Sequence, residues 1–387
     1  MSSLQNSSWL YLILSTLTGL VGAFVNPLMS FFLVEGLGAE PIYIGLYTVL
    51  VTIAGLFISQ LLGAKADNGV SARKLYIASV IAMGTGLVLY ANLGSYWMVL
   101  LVGICMVSIG NAAIPQMLTV SRQWADRNKK INTVDFNARL RAAISLAWII
   151  GPAVGFALAG SLGFSSSFYI AAIFSGVAAL FAFKLIPEVK VVKEAVNGKH
   201  NGASSLSFWM LGLSVTFASV ANILYSSAMP LYTIKELGFA SYSPGLLMGL
   251  VALLEIPVML YAGKLSQKIT KHALVGVAYL FAIVFYSGIF FSTDLWHFIC
   301  LQFVNAIFYG LFAGLSLTLL QDELPLRVGY TSAFYSNAIK IGMMLGTSLT
   351  GVIAQFTSFR HANLGALIAV CLALICLLYY RALKKKV

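Results

Sequence analysis

Of the 387 residues, 60% are hydrophobic and only 9% are charged, where a soluble globular chain carries about 25% charged residues; a water-soluble fold is excluded. The formal net charge of +12 would suit nucleic acid, but the lysines and arginines gather on one side of a series of apolar segments. The charge therefore reads as membrane topology.

The first charge-free segment, Trp9 to Val34, exceeds the roughly 20 apolar residues that cross a bilayer as a helix. It is longer than the hydrophobic region of a signal peptide, has no basic region before it and is followed by further spans, so it is expected to remain in the protein. On it Gly19, Gly22, Asn26 and Ser30 share a helical face, with Pro27 adjacent. Pro41 to Gly63 forms the second span. The loop that leaves it reads GAKADNGVSARKL, Gly63 to Leu75. Gly63 and Gly69 let helix ends approach, Asp67 can pair with a cation or a helix N-terminus, and Arg73 and Lys74 form a basic pair, so the loop reads as a conformational latch. An ordinary polar turn is the plainer alternative. Leu75 to Gly94 and Tyr96 to Val120 follow, the second carrying Ser108, Asn111 and Pro115 with Gln116 beside them.

The fifth span, Phe136 to Leu162, contains RLRAAISLAWIIGP. At about 100° per residue, Arg141, Ser145, Trp148 and Pro152 fall within about 40° of one another, whereas Arg139 points about 160° away from Arg141. Arg139 is expected to snorkel to the cytoplasmic surface, and Arg141 to face the bundle. Gly151 to Gly155 is a small-xxx-small pattern that predicts close helix packing. Phe168 to Ile186 completes six spans. The longest polar interruption, PEVKVVKEAVNGKHNGASS, then reads as a cytoplasmic linker, dividing the chain into 1–186, 187–205 and 206–387.

The second half offers Leu206 to Ile234, with Asn222 beside Tyr225 and Ser226, and Ser243 to Gly263, with Glu255 about halfway along. Ala273 to Phe291 comes next, then Leu295 to Leu320 with Gln302, Asn305 and Tyr309 on one face, and Gly310 to Gly314 as a second small-xxx-small pattern. Tyr330 to Phe356 aligns Asn337 with Lys340, and Asn363 to Tyr380 is last. The fold class is thus an all-α membrane protein of twelve transmembrane helices in two six-helix bundles. With the N-terminus in the cytoplasm, Lys65, Arg73, Lys74, Arg122, Lys184, Lys264, Arg381 and most other basic residues share one side, and only Lys235 and Arg360 lie on the other. This asymmetry places both termini in the cytoplasm. Gly63 and Gly263, and likewise Gly110 and Gly310, are 200 residues apart. Such an echo fits a duplicated six-helix unit with substrate bound near the bilayer midplane.

Polar side chains inside spans are costly in lipid and tend to face a bundle interior or a watery cavity. Here they are amides, hydroxyls and aromatics, a lining that suits a neutral polyhydroxylated ligand. The alternative is that they join helices, at about 0.6 kcal/mol per hydrogen bond. Glu255 is the only acid well inside a predicted span. A carboxyl group there can hold or release a proton according to what lies near it, as a proton carrier must. Arg141 and Lys340 are the candidate cations, and a static ion pair is the alternative. The four cysteines lie in spans and read as small hydrophobes. No H-E-x-x-H or G-x-x-x-x-G-K-[ST] segment occurs, which argues against an intramembrane metalloenzyme and a built-in ATPase; no metal or cofactor is expected.

Five segments, RAAISLAWIIGP, GNAAIPQ, LLMGLVALLEIPVMLYAG, LQFVNAIFYGLFAGL and QDELP, resemble the bacterial sugar efflux transporters of the major facilitator superfamily, and the Gly63–Leu75 loop is similar to the superfamily's signature between helices 2 and 3, with a longer spacing before the basic pair. The resemblance spans essentially the whole chain. It implies alternating access in the bacterial inner membrane and export of lactose, glucose and related glycosides, by a protein working as a monomer and exchanging sugar for protons. It carries over Arg141, Trp148, Gln116, Glu255, Gln302 and Asn305 as matched positions. Two departures are Lys340, where the family leads one to expect arginine, and Gln267, which replaces the acid in the second copy of the loop. Asn26, Asn111, Gln116, Asn222, Gln302 and Asn305 are the expected hydroxyl partners, together with Tyr225, Asn337 and Arg141, and Trp148 the stacking ring. Multidrug efflux is the other reading within transport.

Overall fold

The computed structural model describes residues 2–67, 70–127, 133–187, 206–324 and 328–384. Every regular element among them is helical, as a chain with long charge-free runs requires, because a helix satisfies its own backbone in lipid. In order these are α1 (Ser8–Gly36), α2 (Ile42–Gly63), α3 (Ala72–Asn92), α4 (Tyr96–Ala125), α5 (Thr133–Leu162), α6 (Phe164–Leu185), α7 (Leu206–Glu236), α8 (Ser243–Leu265), α9 (Lys271–Phe291), α10 (Leu295–Glu323), α11 (Phe334–Phe356) and α12 (Phe359–Lys384). Eleven of them are long and apolar enough to cross a membrane; in α5 the apolar stretch among the described residues, Leu146–Leu162, is shorter.

The chain divides into two compact units. The first holds α1, α3 to α6 and most of α2. The second holds α7 to α12 and Glu40–Thr48, the start of α2. Within the second unit that short segment meets α11 backbone to backbone: a Cβ added at Gly351 would lie 2.4 Å from the Pro41 carbonyl oxygen.

In the first unit α1 packs against α5 and α6, and α3 against α4 and α6. The predicted close packing of α5 is found: a Cβ on Gly151 would lie 2.5 Å from that of Ala23, and one on Gly19 3.1 Å from that of Ala147. Ser15 Oγ donates to the Leu140 carbonyl at 2.8 Å, and the Thr18 and Tyr76 hydroxyls meet at 2.8 Å, so the small polar residues here join helices. The second unit repeats the plan, with α7 against α11 and α12 and α10 against α8 and α9. Gly342 approaches Ser219 at 2.4 Å by the same measure and Gly310 approaches Val258 at 2.8 Å. Ser214 Oγ donates to the Ala373 carbonyl at 2.8 Å.

The repeat is sharper in backbone than in sequence. α1 and α7 both end in five-residue π-helical turns, Phe32–Gly36 and Tyr232–Glu236. Leu37 N–H donates to the Phe32 carbonyl and Leu237 N–H to that of Tyr232, each at 3.0 Å. Both chains then turn at a glycine in the left-handed region, Gly38 at φ +65° and Gly238 at φ +70°, a conformation that costs other L-residues about 1–2 kcal/mol.

Candidate functional site

Proline shapes the candidate positions in the first unit. α1 breaks after Val25, where Pro27 has no N–H to offer the Ala23 carbonyl. Asn26 is exposed at this break and Ser30 is buried. In α4 a π-helical turn, Gly103–Val107, leads to a second break at residues 111 and 112. Pro115 lacks the N–H that would serve the Asn111 carbonyl. Asn111 is exposed, and no side-chain hydrogen bond joins it to another described residue. A little over a turn further on, Gln116 is buried and its Oε1 has no partner among the described residues, a state that costs about 1–3 kcal/mol unless something engages it.

On α5, Ala147, Gly151 and Gly155 abut α1. Trp148 lies about 100° round the helix from Ala147 and is 38% exposed. Pro152, four residues on, is buried and leaves the Trp148 carbonyl without its helical donor. The side chains of Arg141 and Ser145 lie outside the described residues, as do Gly69, the Asp67 side chain and residues 188–205 of the expected linker. Elsewhere in the expected latch, no atom of the described residues lies within 4 Å of a Cβ added at Gly63, and Lys74 is exposed. Arg73 Nε donates to the Ala182 carbonyl at 3.0 Å and its Nη2 to that of Phe183, with the guanidinium 5.7 Å from the Phe183 ring centre. Arg73 thus caps the C-terminus of α6, where a cation meets the negative end of the helix dipole.

The second unit assembles several of its candidates into one cluster. Gln302 Nε2 donates to the Tyr225 hydroxyl at 2.8 Å, and Asn305 Nδ2 donates to Gln302 Oε1 at 3.0 Å. All three are buried, Gln302 completely. Phe285 stands edge-on to Tyr225 at 4.8 Å between ring centres, and Tyr286 lies 6.3 Å from it. The Asn305 Oδ1 and the Tyr286 hydroxyl have no partners among the described residues. Residues expected to meet substrate directly are thus bonded to one another across α7 and α10. Phe285 and Tyr286 escaped the sequence reading because nothing in the polar pattern of α9 marks them.

Asn222 and Lys340 are half-buried and Asn337 is exposed. Glu255 is half-buried on α8, two residues before Pro257. Its carbonyl oxygen lies 3.1 Å from where a Gly310 Cβ would stand, and Tyr309 is within electrostatic reach of both Glu255 and Tyr335. Among the described residues neither Glu255 nor Lys340 makes an ion pair. α11 turns Gly342 and Gly346 toward α7, which puts Lys340 about 160° from Gly342 on the far side of its helix.

Two clamps in the second unit were not evident in the sequence. The Glu236 carboxylate accepts from the N–H groups of Phe359 and Arg360 at 2.6 and 3.2 Å, and Arg360 Nε donates to the Phe290 carbonyl at 2.7 Å. At the other end Glu323 accepts from the Tyr380 hydroxyl at 2.6 Å and pairs with Lys384 at 3.0 Å, beside a Lys271–Asp322 pair at 2.7 Å. The QDELP segment therefore ties α10 to α9 and α12.

Comparison with known proteins gives three consistent results. The sequence profile of the Major Facilitator Superfamily matches residues 11–325 and 211–387. Sugar efflux transporter A of Escherichia coli (strain K12) is 34% identical over 364 residues, covering 93% of this chain and 92% of that protein. Sugar efflux transporter A of Dickeya chrysanthemi is 31% identical over 369 residues, with 95% and 94% covered. The crystal structure of the nucleoside transporter NupG superposes with a TM-score of 0.80 over 98% of this chain and 99% of that one, at 16% identity; this likeness is one of fold.

Proposed function

The chain belongs to the sugar efflux transporters of the Major Facilitator Superfamily, and on that premise we propose that it exports lactose, glucose and related glycosides across the bacterial inner membrane in exchange for protons. In this reading twelve membrane helices form two six-helix bundles, 1–186 and 206–387, joined by a cytoplasmic linker at 187–205, with both termini in the cytoplasm. The monomer alternates access to a site near the bilayer midplane. Asn26, Asn111, Gln116, Asn222, Asn337 and Arg141 meet sugar hydroxyls, and Trp148 stacks on a sugar ring. Tyr225, Gln302 and Asn305 form a second polar surface that becomes available when α7 and α10 shift. Glu255 carries the proton, with Arg141 or Lys340 as the cation that changes its occupancy. The Gly63–Lys74 loop, with Asp67, Gly69 and Arg73, steadies one of the two conformations.

The observation that carries the reading is the kind of polar group the helices hold. Asn26, Asn111 and Gln116 are amides and the Tyr225–Gln302–Asn305 chain joins amides and a hydroxyl beside the Phe285 and Tyr286 rings, in a chain whose relatives over more than nine-tenths of its length are named sugar efflux transporters. Amides offer donors and acceptors together, which matches sugar hydroxyls. The test is flux of labelled lactose and glucose in proteoliposomes under an imposed pH gradient. Gradient-dependent sugar flux is expected; flux of cationic dyes without sugar flux would replace this reading by multidrug efflux.

A further inference from the structure

Gly55 sits in the middle of α2 without a packing reason to be glycine. Where glycine is needed for close helix approach in this protein, an added Cβ collides: 2.6 Å from Met83 Cβ at Gly110, 2.5 Å from Ala23 Cβ at Gly151, 2.4 Å from Ser219 Cβ at Gly342. At Gly55 the nearest atoms would be the Ser108 carbonyl oxygen at 3.6 Å, Asn111 Nδ2 at 3.7 Å and Asn111 Cβ at 3.8 Å, all ordinary contacts. Alanine would fit and, inside a helix, would be worth about 1 kcal/mol over glycine.

What the glycine borders supplies the reason. Asn111 stands at the break of α4, exposed, with its amide joined to no other described side chain or backbone group, and Pro115 deprives its carbonyl of the usual helical donor. Gln116, buried with an unpartnered Oε1, follows on the same helix. A primary amide beside a carbonyl that lacks its helical donor matches the adjacent donor and acceptor hydroxyls of a sugar ring. The position 200 residues on is Glu255, so the duplicated scaffold accommodates a long side chain at this place in its second copy.

We propose that Gly55 and Asn111 form a saccharide hydroxyl subsite in the first half, in which Gly55, by having no side chain, keeps the Asn111 amide open and determines how large a sugar fits. This rests on the sugar-export reading and identifies a specificity-determining residue within it. A side chain at position 55 would begin 3.7 Å from the Asn111 amide nitrogen.

The experiment measures lactose and glucose flux in proteoliposomes for the wild type, Gly55→Ala, Gly55→Leu, Asn111→Ala and, as a control, Gly176→Leu, where no atom of the described residues lies within 4 Å of an added Cβ. Expected results are near-wild-type flux for Gly176→Leu, a partial loss of lactose flux for Gly55→Ala, loss of lactose flux by about tenfold or more for Gly55→Leu with a smaller loss for glucose, and loss of both for Asn111→Ala. Equal loss of the two sugars, or no loss, in Gly55→Leu would overturn the proposal. Should Gly55→Leu not fold, Gly55→Thr is judged by the same criterion. A readout independent of substrate uses Asn111→Cys with the four native cysteines changed to serine. Labelling by a small maleimide is expected to be fast with Gly55 and at least about tenfold slower with Gly55→Leu. Equal labelling overturns the proposal whatever the substrate, whereas slowed labelling without any sugar flux upholds the gate at Gly55 and removes the sugar-export reading.

Discussion

The two halves agree where the backbone is constrained and part company in the polar side chains they carry. The π-helical turns, the left-handed Gly38 and Gly238 and the helix-packing Gly110 and Gly310 recur 200 residues apart. At the same spacing, however, Glu255 answers to Gly55, and Tyr225, Gln302 and Asn305 answer to Val25, Val102 and Cys105. Tyr286, beside the second-half cluster, answers to Gly86, whose missing Cβ would lie 3.1 Å from Val107; the first half closes α3 on α4 where the second inserts a ring. The frame recurs while the polar side chains on it differ. The first half presents exposed amides at proline breaks, and the second buries a hydrogen-bonded polar cluster and holds the one acid well inside a span.

This contrast can be broken or sharpened by substitution. The largest effect is expected at Arg141: Arg141→Ala should lower sugar flux about tenfold or more, against little change for Arg139→Ala, with both variants at equal levels in the membrane. Equal effects would remove Arg141 from the transport face. Gln302→Leu strands the Tyr225 hydroxyl and the Asn305 amide and should destabilise the protein by about 1–3 kcal/mol in thermal or denaturant unfolding, whereas Val102→Leu at the matching first-half position should stay within about 0.5 kcal/mol. If the two cost the same, the second-half cluster is not the asymmetric feature it is taken for. Arg73→Ala removes the cap on α6 and should cost about 1 kcal/mol, visible as a lower unfolding temperature in detergent. Gly38→Ala and Gly238→Ala should cost about 1 kcal/mol each and equally, since the two turns share a conformation; a clear inequality would show that the backbone repeat is less faithful than its dihedral angles.

Much of this was legible in the sequence because membrane helices write their constraints locally. Charge-free length marked most of the spans, and small-xxx-small spacing marked the close α5 and α10 contacts that Gly151 and Gly310 make. The breaks at Asn26 and Asn111 were not foreseen, although Pro27 and Pro115 stood beside them in the sequence. What stayed hidden depends on partners distant in the chain. Gln302 and Asn305 read as cavity-lining because their helical face was visible, but their bond to Tyr225, 77 residues from Gln302, was not. Phe285 and Tyr286 are apolar or mixed residues on an apolar helix, and Glu236, Glu323 and Arg360 sit at helix ends where any charge is unremarkable until its partner is known. Gly55 carried no periodic signal; its meaning comes from comparison with the crowded glycines elsewhere.

The central claim is that the acid of the second half moves the proton for a sugar bound largely by amides of the first. It is tested most directly by trapping a pH-sensitive dye in proteoliposomes and adding lactose outside without an imposed gradient. The account predicts a sugar-driven pH change with the wild type, and none with Glu255→Gln although sugar exchange persists. An undiminished sugar-driven pH change in Glu255→Gln would contradict it.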